Sequence, residues 1–416
     1  MCYLLKNMNS KALERRVKKH ILAGKHTIFI PVIPGLEDTA IEELKTLNLQ
    51  AEKEKEPGSL LVEGSMEDIW RIALLSRTAS KLYLRLLSFK AEGFREFRNK
   101  TNSFPWELYL KEGSEYRIRF SLTHCRLHVT DNIGKSLNRS IKERFVEMKG
   151  RAPFLVEEKS SQVDASVQTI LIRGVDNHFG ISLDAGGGPL YDRGYRKNVT
   201  EAPLRETLAA SLLLAAGICE NTNIIDPMCG SGTFSLEAAS ITSGIPAGLK
   251  RTFPFEYWPS FRSARYKWLL NNQMKQIKMP CTLLSSDKEG DAIKAAKANW
   301  ALLWQSIEEK SDTKDFHLPE SPFKKLDFFQ SSLTAEEEEQ DTLLILNPPY
   351  GMRMELKDKL NFFRMIGKKI NEDYKGVRWG IIAPGLDTEK AFALHWDKKI
   401  LFKNGGLPVS FLIGKS

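Results

Sequence analysis

Hydrophobic positions recur along the chain in two patterns. Short apolar runs bounded by Gly, Pro or polar residues predict strands, and apolar positions spaced three or four residues apart predict helices. In the leading part, residues 27–33, 59–63 and 82–89 are predicted strands, and they alternate with predicted helices at 36–47 and 66–76. This alternation predicts a small α+β unit at the start of the chain.

The alternation continues over the next ninety or so residues. Its predicted elements are a helix at 94–110, a strand at 116–120, a helix at 129–148 and a hairpin of strands at 167–172 and 179–183. The helix at 129–148 has an apolar residue at every fourth position and basic residues between them. One face of this helix is therefore expected to pack on a sheet while the other carries positive charge.

A continuous apolar run, 343–346, stops abruptly at Asn347-Pro348-Pro349-Tyr350. Such a run predicts a strand buried on both faces of a parallel sheet, so the turn after it lies at the carboxyl edge, where open α/β sheets bind ligands. The two prolines make the loop rigid and its carbonyls point outward, Asn347 adds an oxygen acceptor, and Tyr350 adds an aromatic face. These groups suit the exocyclic amine of a nucleobase. An ordinary proline-rich strand exit is the alternative.

A second predicted strand, 223–226, ends in an acid and opens a glycine-rich turn that leads into a helix. Glycines let the backbone approach a ligand, a helix N-terminus favours a carboxylate, and the acid can accept from an ammonium group. The candidate residues for a ligand of the methionine type are Asp226, Cys229, Gly230, Gly232 and Thr233. A dinucleotide fingerprint requires a third glycine where Ser235 stands, which argues against nicotinamide cofactors.

Two further acids follow later strands. Asp287 comes after the predicted strand 281–286, where its carboxylate could accept from both hydroxyls of a ribose. Asp327 and Phe328 could supply a carboxylate and an apolar wall to an adenine ring. Each acid taken alone is more often a helix cap or a turn residue, so the order of the motifs carries the argument.

That order, an acid after each of the first three strands and Asn-Pro-Pro-Tyr after the fourth, resembles the class I S-adenosylmethionine-dependent methyltransferases. The tetrapeptide 347–350 is similar to the motif of their amino-methylating branch. The resemblance implies an α/β fold with a mostly parallel, seven-stranded Rossmann-like sheet and an antiparallel end. It also implies S-adenosylmethionine as cofactor, bound by the glycine turn and the three acids, and a target amine at Asn347, Pro348, Pro349 and Tyr350.

The leading part resembles a ferredoxin-like segment followed by a THUMP domain. Residues 190–196, 202–209 and 253–258 resemble parts of the bacterial THUMP-containing guanine-N2 RNA methyltransferases of the large-subunit ribosomal RNA type. We therefore expect a basic leader and ferredoxin-like segment at 1–65, a THUMP domain at 66–185, and a connector with one methyltransferase domain at 186–416. The implied activity is methylation of the N2 amine of a guanosine in RNA, with large-subunit ribosomal RNA as the favoured substrate.

The charge of the chain supports a polyanionic partner. Lys and Arg number 61 against 52 Asp and Glu, which gives a net charge of +9. Candidate RNA contacts are Lys135, Arg139, Lys142, Arg193 and Arg196. The alternatives are a solvated helix face for the first three residues and ion pairs across the domain boundary for the last two. We expect a flexible hinge at 186–188, and the basic leader 1–25 to be either an RNA-contacting arm or a solvated extension.

Other classes of protein are disfavoured. The five cysteines include no Cys-x-x-Cys pair, so neither a zinc ribbon nor a disulfide framework is predicted, and a reducing cytoplasm is expected. His124 and His128 have no evident third ligand, so no metal is predicted. No apolar stretch reaches the roughly 20 residues needed to cross a bilayer. Three alternatives stay open: a transfer-RNA guanine-N2 methyltransferase, a DNA adenine-N6 methyltransferase, and an inactive RNA-binding assembly factor.

Overall fold

Two β-sheets carry the part of the chain that the computed structural model describes, which is residues 10–157, 164–196, 204–308, 319–333, 341–349 and 356–416. The strands are β1 (His26–Pro31), β2 (Ala51–Lys53), β3 (Ser59–Gly64), β4 (Tyr83–Lys90), β5 (Glu115–Thr123), β6 (Phe154–Leu155), β7 (Gln168–Val175), β8 (His178–Asp184), β9 (Asn223–Asp226), β10 (Leu283–Asp287), β11 (Phe323–Lys325), β12 (Thr342–Leu346), β13 (Arg378–Ala383), β14 (Lys398–Asn404) and β15 (Leu407–Lys415).

Helices cover these sheets. They are α1 (Ser10–Val17), α2 (Glu37–Thr46), α3 (Met66–Leu75), α4 (Phe94–Asn102), α5 (Thr130–Glu147), α6 (Glu206–Ala215), α7 (Thr233–Thr242), α8 (Ser263–Met274), α9 (Gly290–Glu308), α10 (Leu356–Asp373) and α11 (Leu386–Phe392). Short helical turns occupy Lys18–Leu22, Trp106–Leu108 and Pro254–Tyr257. No helix among the described residues combines the length and the apolar character that a membrane span requires.

The leading sheet has the strand order β2-β3-β1-β4-β8-β7-β5-β6. The apolar stripe of α5 is fully buried in its core, as the spacing of that stripe predicts: Ile133, Leu137, Ile141 and Phe145 are all 0% exposed. The predicted hairpin is present as β7 and β8, which are antiparallel. It turns through Asp176 and Asn177, whose positive φ angles of 48° and 65° match a tight turn between twisted strands.

Two predictions for the leading part are wrong. The helix expected at 94–110 ends at Asn102, because Pro105 disfavours a helical conformation for the residue before it and cannot donate a backbone hydrogen bond. The basic leader is not a solvated extension from Ser10 onward. Its helical residues Val17 and Ile21 are each 1% exposed and belong to the core, whereas residues 1–9 lie outside the described part.

The trailing sheet confirms the predicted fold class. Its order is β11-β10-β9-β12-β13-β15-β14, and β11, β10, β9, β12 and β13 pair in parallel. Among the described strands of this sheet, only β15 runs antiparallel to its neighbours, which are β13 and β14. Ser285 of β10 lies opposite Asp226 of β9, and Leu344 of β12 lies opposite Ile225. The carboxyl ends of these three strands therefore meet at one edge.

The expected hinge at 186–188 is instead held firmly by hydrogen bonds. The Asp184 carboxylate accepts from the backbone N–H groups of Gly186 and Gly187 at 2.9 Å and of Gly188 at 3.3 Å. The Arg251 guanidinium donates to the carbonyls of Gly186 (2.9 Å), Gly187 (3.3 Å) and Pro189 (3.1 Å). A segment whose donors and acceptors are occupied in this way does not behave as a loose linker.

The division of the leading part into 1–65 and 66–185 remains a prediction. Strands that precede residue 65 in the chain and strands that follow it belong to the same sheet. Strand β4, which follows residue 65, pairs with β1, which precedes it, and also with β8. Hydrogen bonds such as that from Gly248 N to the Leu74 carbonyl, 2.9 Å long, join this part to the trailing part.

We expect Arg251→Met to lower the free energy of unfolding by about 2–4 kcal/mol, because it leaves the partly buried carbonyls of residues 186, 187 and 189 without this donor. Arg139→Met is the matched control, since Arg139 makes an exposed ion pair with Glu143 and its loss should cost about 0–1 kcal/mol. Urea unfolding followed by circular dichroism measures both variants. Equal losses would show that the Arg251 contacts do not stabilise this segment.

Candidate active site

The turn between β9 and α7 is shaped by two glycines. Gly230 and Gly232 have φ angles of +54° and +86°, which side chains other than glycine rarely adopt. A Cβ atom added at Gly232 would lie 2.8 Å from Cζ of Phe323, so this position also requires glycine for close packing. The turn brings the N-terminus of α7 to the carboxyl edge of the sheet, and the first N–H groups of a helix have no intrahelical acceptor and can bind an anion.

Asp226 ends β9 and is the most unusual acid at this edge. Its side chain is buried, and its Oδ2 accepts from Ser235 Oγ at 2.7 Å, while Ser235 shares a 2.8 Å hydrogen bond with Ser285. Its Oδ1 has no partner among the described residues. Burial, aided by the negative charge of Asp287, raises the pKa of Asp226 to about 7, against the lowering effect of Ser235. The carboxylate is therefore prepared for a cationic partner.

Two further acids lie at strand ends, as the sequence predicts: Asp287 ends β10, and Asp327 follows β11. Asp287 Oδ2 accepts from Gly230 N at 2.9 Å, and its Oδ1 accepts from Glu289 N at 2.9 Å. Asp327 Oδ1 accepts from Phe329 N at 2.8 Å, which makes it a turn residue in this structure. Leu326 N donates to the Asp287 carbonyl at 3.1 Å, so the loop of Asp327 is attached to the end of β10.

Phe328 does not form the open apolar wall that its place in the sequence predicts. Its ring is 4% exposed and stacks on Tyr374 with ring centroids 6.2 Å apart. It also contacts the edge of Phe329, and the Lys369 ammonium lies 5.5 Å from its centroid. In this structure the ring packs in the core behind the edge, and its role as an adenine contact stays a prediction.

Asn347 follows β12 at the same edge. Its side-chain Oδ1 is buried and has no hydrogen-bond partner within the described ranges. Pro348 is buried and Pro349 is exposed, so the loop leaves the sheet at this point. Because β12 and β9 are parallel neighbours, the Asn347 side chain and the Asp226 carboxylate follow adjacent strand ends. Tyr350 lies outside the described residues, and its role as an aromatic platform stays a prediction.

Cys229 and Thr233 complete the turn. Burial raises the pKa of the Cys229 thiol well above its ordinary value, so this residue stays protonated and packs as a small neutral group. Its N–H donates to the Ser286 carbonyl at 2.9 Å, which joins the turn to β10. Thr233 Oγ1 accepts from Arg196 Nη1 at 3.0 Å, a contact from outside the sheet.

The connector residues Arg193 and Arg196 are corrected as RNA contacts. Arg193 is 4% exposed; it donates to the carbonyls of Leu190 (2.9 Å) and Arg77 (2.6 Å), and its Nε lies 3.6 Å from Glu237. The Arg196 side chain is only 10% exposed and forms an ion pair with Glu206 at 3.2 Å. Both guanidiniums make the internal ion pairs that were the alternative interpretation, because buried acids surround them.

Three polar residues of this region were missed by sequence reasoning. Glu206 and Glu237 are buried acids, and Tyr195 donates a hydrogen bond to Glu237. Burial raises the pKa of Glu206 to about 7. The available signal was an acid inside an otherwise apolar helix, Phe-Ser-Leu-Glu-Ala-Ala, since such a residue needs a partner when it is buried.

The basic face of α5 lies on the leading part. Lys135, Arg139 and Lys142 are exposed, and they follow one another at helical spacing. Lys135 pairs with Asp131 at 2.6 Å, and Arg139 pairs with Glu143 at 2.7 Å. Both pairs are solvent-exposed, so they are weak and can exchange for phosphate.

A mostly parallel sheet in this strand order, with an acid and a glycine turn after its first strand, is the fold of the class I methyltransferases. The trailing part of the chain thus has the fold of a methyltransferase domain. More particularly, the chain belongs to the UPF0020 family, the RMKL-like methyltransferase domain, whose model matches residues 193–408. Residues 27–83 match the RlmL ferredoxin-like domain. The THUMP domain stays a prediction.

Individual proteins are similar to the chain over most of its length. The ribosomal RNA large subunit methyltransferase K/L of Alteromonas mediterranea is 29% identical over 390 residues, 92% of this chain and 52% of the relative. The chain thus spans about half the length of that relative. The Synechocystis protein slr0064 is 27% identical and is matched over 92% of this chain and 95% of its own. The structure of SMU.472, solved with S-adenosylhomocysteine, has a TM-score of 0.80 at 24% identity, covering 94% of this chain and 98% of that one.

The residues at the edge fit S-adenosylmethionine. Asp226 Oδ1, which has no hydrogen-bond partner in the described part of the chain, suits the ammonium group of the methionine moiety, and the N-terminus of α7 suits its carboxylate. Asp287, whose two oxygens already accept from backbone N–H groups, has further lone pairs for ribose hydroxyls. No group of three or more His, Cys, Asp or Glu residues suited to a metal occurs within the part of the chain described.

We expect the affinity for S-adenosylmethionine to rise with pH. Only the ionised form of Asp226 attracts the ammonium group, so with a pKa of about 7 the dissociation constant should fall about tenfold per pH unit below 7 and level off above it. The same raised pKa means that the ligand-free protein loses stability as the pH rises from the ordinary carboxyl pKa of 3.8 to about 7, and no further above it.

Isothermal titration calorimetry between pH 5.5 and 8.5 measures how the dissociation constant for S-adenosylmethionine depends on pH. Asp226→Asn should weaken binding and remove the slope. Glu206→Gln is the control, because Glu206 also has a pKa of about 7 but its carboxylate is paired with Arg196. If the pH dependence of binding disappears in Glu206→Gln and persists in Asp226→Asn, the titrating group is Glu206 and the prediction is wrong.

Proposed function

We propose that the chain transfers a methyl group from S-adenosylmethionine to the exocyclic N2 amine of a guanosine in RNA, with large-subunit ribosomal RNA as the substrate. The proposal combines two kinds of support. One is the amine-binding character of the Asn347-Pro348-Pro349 turn beside the cofactor residues. The other is the similarity to relatives whose names describe them as RNA methyltransferases.

The observation that carries the proposal is that Asn347 Oδ1 has no hydrogen-bond partner among the residues that the structure describes. A buried amide oxygen without a hydrogen bond costs about 1–3 kcal/mol, so a donor is expected to reach it when the site is filled. An exocyclic amine supplies such a donor. The rigid Pro348 carbonyl next to it is a second acceptor for the other N–H bond.

The proposed mechanism is a direct transfer. The cofactor supplies a methyl group on a positively charged sulfonium. Asn347 Oδ1 and the Pro348 carbonyl accept the two N2–H bonds, which favours a pyramidal nitrogen whose lone pair points at the methyl carbon. The guanine is turned out of its stack to reach this position, and we expect Tyr350 to hold its ring. After transfer the extra proton leaves to solvent, so neither a metal nor a covalent enzyme intermediate is required.

RNA as the substrate class is supported by charge as well as by similarity. The net charge of +9 favours a polyanion, and the exposed cations of α5 provide a surface for phosphates. The K/L relative is named for large-subunit ribosomal RNA, and slr0064 is described provisionally as an RNA methyltransferase. These names favour RNA over DNA for an Asn-Pro-Pro-Tyr turn that would also suit the N6 amine of adenine.

The decisive experiment uses labelled S-adenosylmethionine, the purified protein, and separate pools of ribosomal RNA, transfer RNA and DNA from cells that lack the gene. Nucleoside analysis should find N2-methylguanosine in the large ribosomal RNA. The same nucleoside in transfer RNA would change the substrate and keep the chemistry. Methyladenine in DNA, or no label despite cofactor binding, would overturn the proposal.

We expect Asn347→Ala to lower kcat by about 10²-fold or more, as for loss of one preorganised polar interaction, while the affinity for the cofactor is preserved. Asn361→Ala is the control, because Asn361 is an exposed asparagine of α10 whose side-chain oxygen accepts from Arg364 Nη1 at 2.8 Å. Single-turnover kinetics and calorimetry measure the two effects. An equal loss of cofactor affinity would contradict the assigned role.

We expect the triple variant Lys135→Ala, Arg139→Ala, Lys142→Ala to weaken RNA binding. The slope of log affinity against log salt should fall by about one for each phosphate that the removed cations neutralise. Lys294→Ala, which removes an exposed cation of α9, is the control. Filter binding over a salt series measures the slope. An unchanged slope would assign the α5 cations to a solvated face.

A further inference from the structure

One face of α7 is contacted by three arginines that come from outside the trailing sheet and its helices. The polar residues of this face stand at positions i, i+4 and i+7, so they lie in line along the helix. The pairs are Thr233 with Arg196, Glu237 with Arg193 and Ser240 with Arg77. We call these three contacts the α7 arginine row. Two of the arginines belong to the connector, and Arg77 belongs to the leading part.

Arg77 binds the C-terminal end of α7. Its Nη1 donates to Ser240 Oγ at 2.8 Å, and its Nη2 donates to the carbonyls of Ser240 (2.8 Å) and Ile245 (2.6 Å). Carbonyls at a helix C-terminus lack intrahelical donors and carry partial negative charge, so a guanidinium is a favourable partner there. The fork of Arg77 can serve three acceptors at once, which an ammonium group cannot do with the same geometry.

The backbone of Arg77 is fixed as well. Its N–H donates to Glu43 Oε1 at 2.6 Å, and Glu43 also accepts from the hydroxyls of Ser76 and Thr78. Its carbonyl accepts from Arg193 Nη2 at 2.6 Å. The loop after α3 is thus attached to α2 on one side and to the arginine row on the other. Any movement of α7 relative to the leading part has to break these contacts.

The two ends of α7 therefore have different neighbours. The N-terminal end, at Gly232 and Thr233, faces the cofactor edge, while the C-terminal end is bound by the leading part. The exposed cations of α5 belong to that same leading part. Helix α7 is consequently one of the connections between the basic surface and the cofactor edge, beside the contacts of α2 with α6 and of α3 with α8.

We propose that Arg77 is a positioning residue for methyl transfer. It fixes the leading part against α7, so that RNA held by the leading part presents its target amine at Asn347 and the cofactor. This inference rests on the proposed function for its substrate. The contacts along α7 themselves are independent of the identity of that substrate.

A simpler role for Arg77 is stability alone, and the two roles predict different results. Loss of stability lowers the fraction of folded protein, so the number of cofactor sites and the turnover fall together. Loss of positioning leaves the cofactor affinity and the RNA affinity unchanged, because each binding surface is intact. Only kcat per cofactor site should fall, since small errors in the approach of two reactants are costly.

The test compares Arg77→Met and Arg77→Lys with a matched control, Arg71→Met, in the full chain. Arg71 also binds a helix-end carbonyl, that of Leu47 at 2.7 Å, together with Asp68 at 3.1 Å, but all of these residues belong to the leading part. Calorimetry gives the affinity and the number of sites for S-adenosylmethionine. Filter binding gives the RNA affinity, and single-turnover kinetics give kcat per site.

For Arg77→Met we expect both dissociation constants to stay within about twofold of the wild type, and kcat per site to fall about 10- to 100-fold. Arg77→Lys should recover only part of this loss, because its ammonium lacks the fork, and Arg71→Met should change kcat per site by less than about threefold. Equal losses in Arg77→Met and Arg71→Met would overturn the inference. So would a fall in the number of cofactor sites that accounts for the whole loss of turnover.

A second measurement separates this inference from the proposed function. Hydrogen exchange of residues 76–82 is followed with and without S-adenosylhomocysteine, which needs no RNA. If α7 connects the two parts through Arg77, the ligand should slow exchange in this loop in the wild type and in Arg71→Met, and not in Arg77→Met. The same ligand effect in Arg77→Met would overturn the inference, even if every RNA pool remained unmethylated and the proposed substrate were wrong.

Discussion

The candidate active site at the carboxyl edge of the trailing sheet depends on the burial of the Asp226 carboxylate at the end of β9. A buried acid is unfavourable as an anion, and burial raises the pKa of Asp226 to about 7. Ser235 and Ser285 hold the carboxylate in place through the hydrogen bonds that join β9, α7 and β10. These hydrogen bonds preorganise the carboxylate, and in the proposed function the ammonium group of the cofactor is its cationic partner.

Helix α7 connects the carboxyl edge of the sheet, where Asp226 lies, to the leading part of the chain. Its N-terminus is fixed by the glycine turn, where Gly232 leaves no space for a side chain next to Phe323. Its opposite end is bound by Arg77, and Glu237 in its middle is neutralised by Arg193 and contacted by Tyr195. Buried ion pairs of this kind add little net stability compared with apolar packing, but an unpaired member would be costly. They consequently favour one arrangement of the two parts over others.

The basic residues of α5 and those of the connector have different roles in the structure. The cations of α5 stay exposed with weak partners, so they remain available to a polyanion, whereas the connector cations Arg193 and Arg196 are used inside the protein. Counting basic residues cannot separate these two groups. The net charge of the chain indicates the class of partner, while burial determines which cations can meet it.

The sequence by itself determined the α/β class, the strand ends at Asp226, Asp287 and Asn347, and the glycine turn, because each depends on a local pattern of apolar runs and breakers. It also determined the buried stripe of α5. Only the tertiary structure decided that Phe328 packs into the core and that residues 186–188 are fixed by Asp184 and Arg251. The same holds for Arg193, whose partners at 77 and 237 are distant in the chain. Such contacts arise when separate elements pack together, so no local pattern records them.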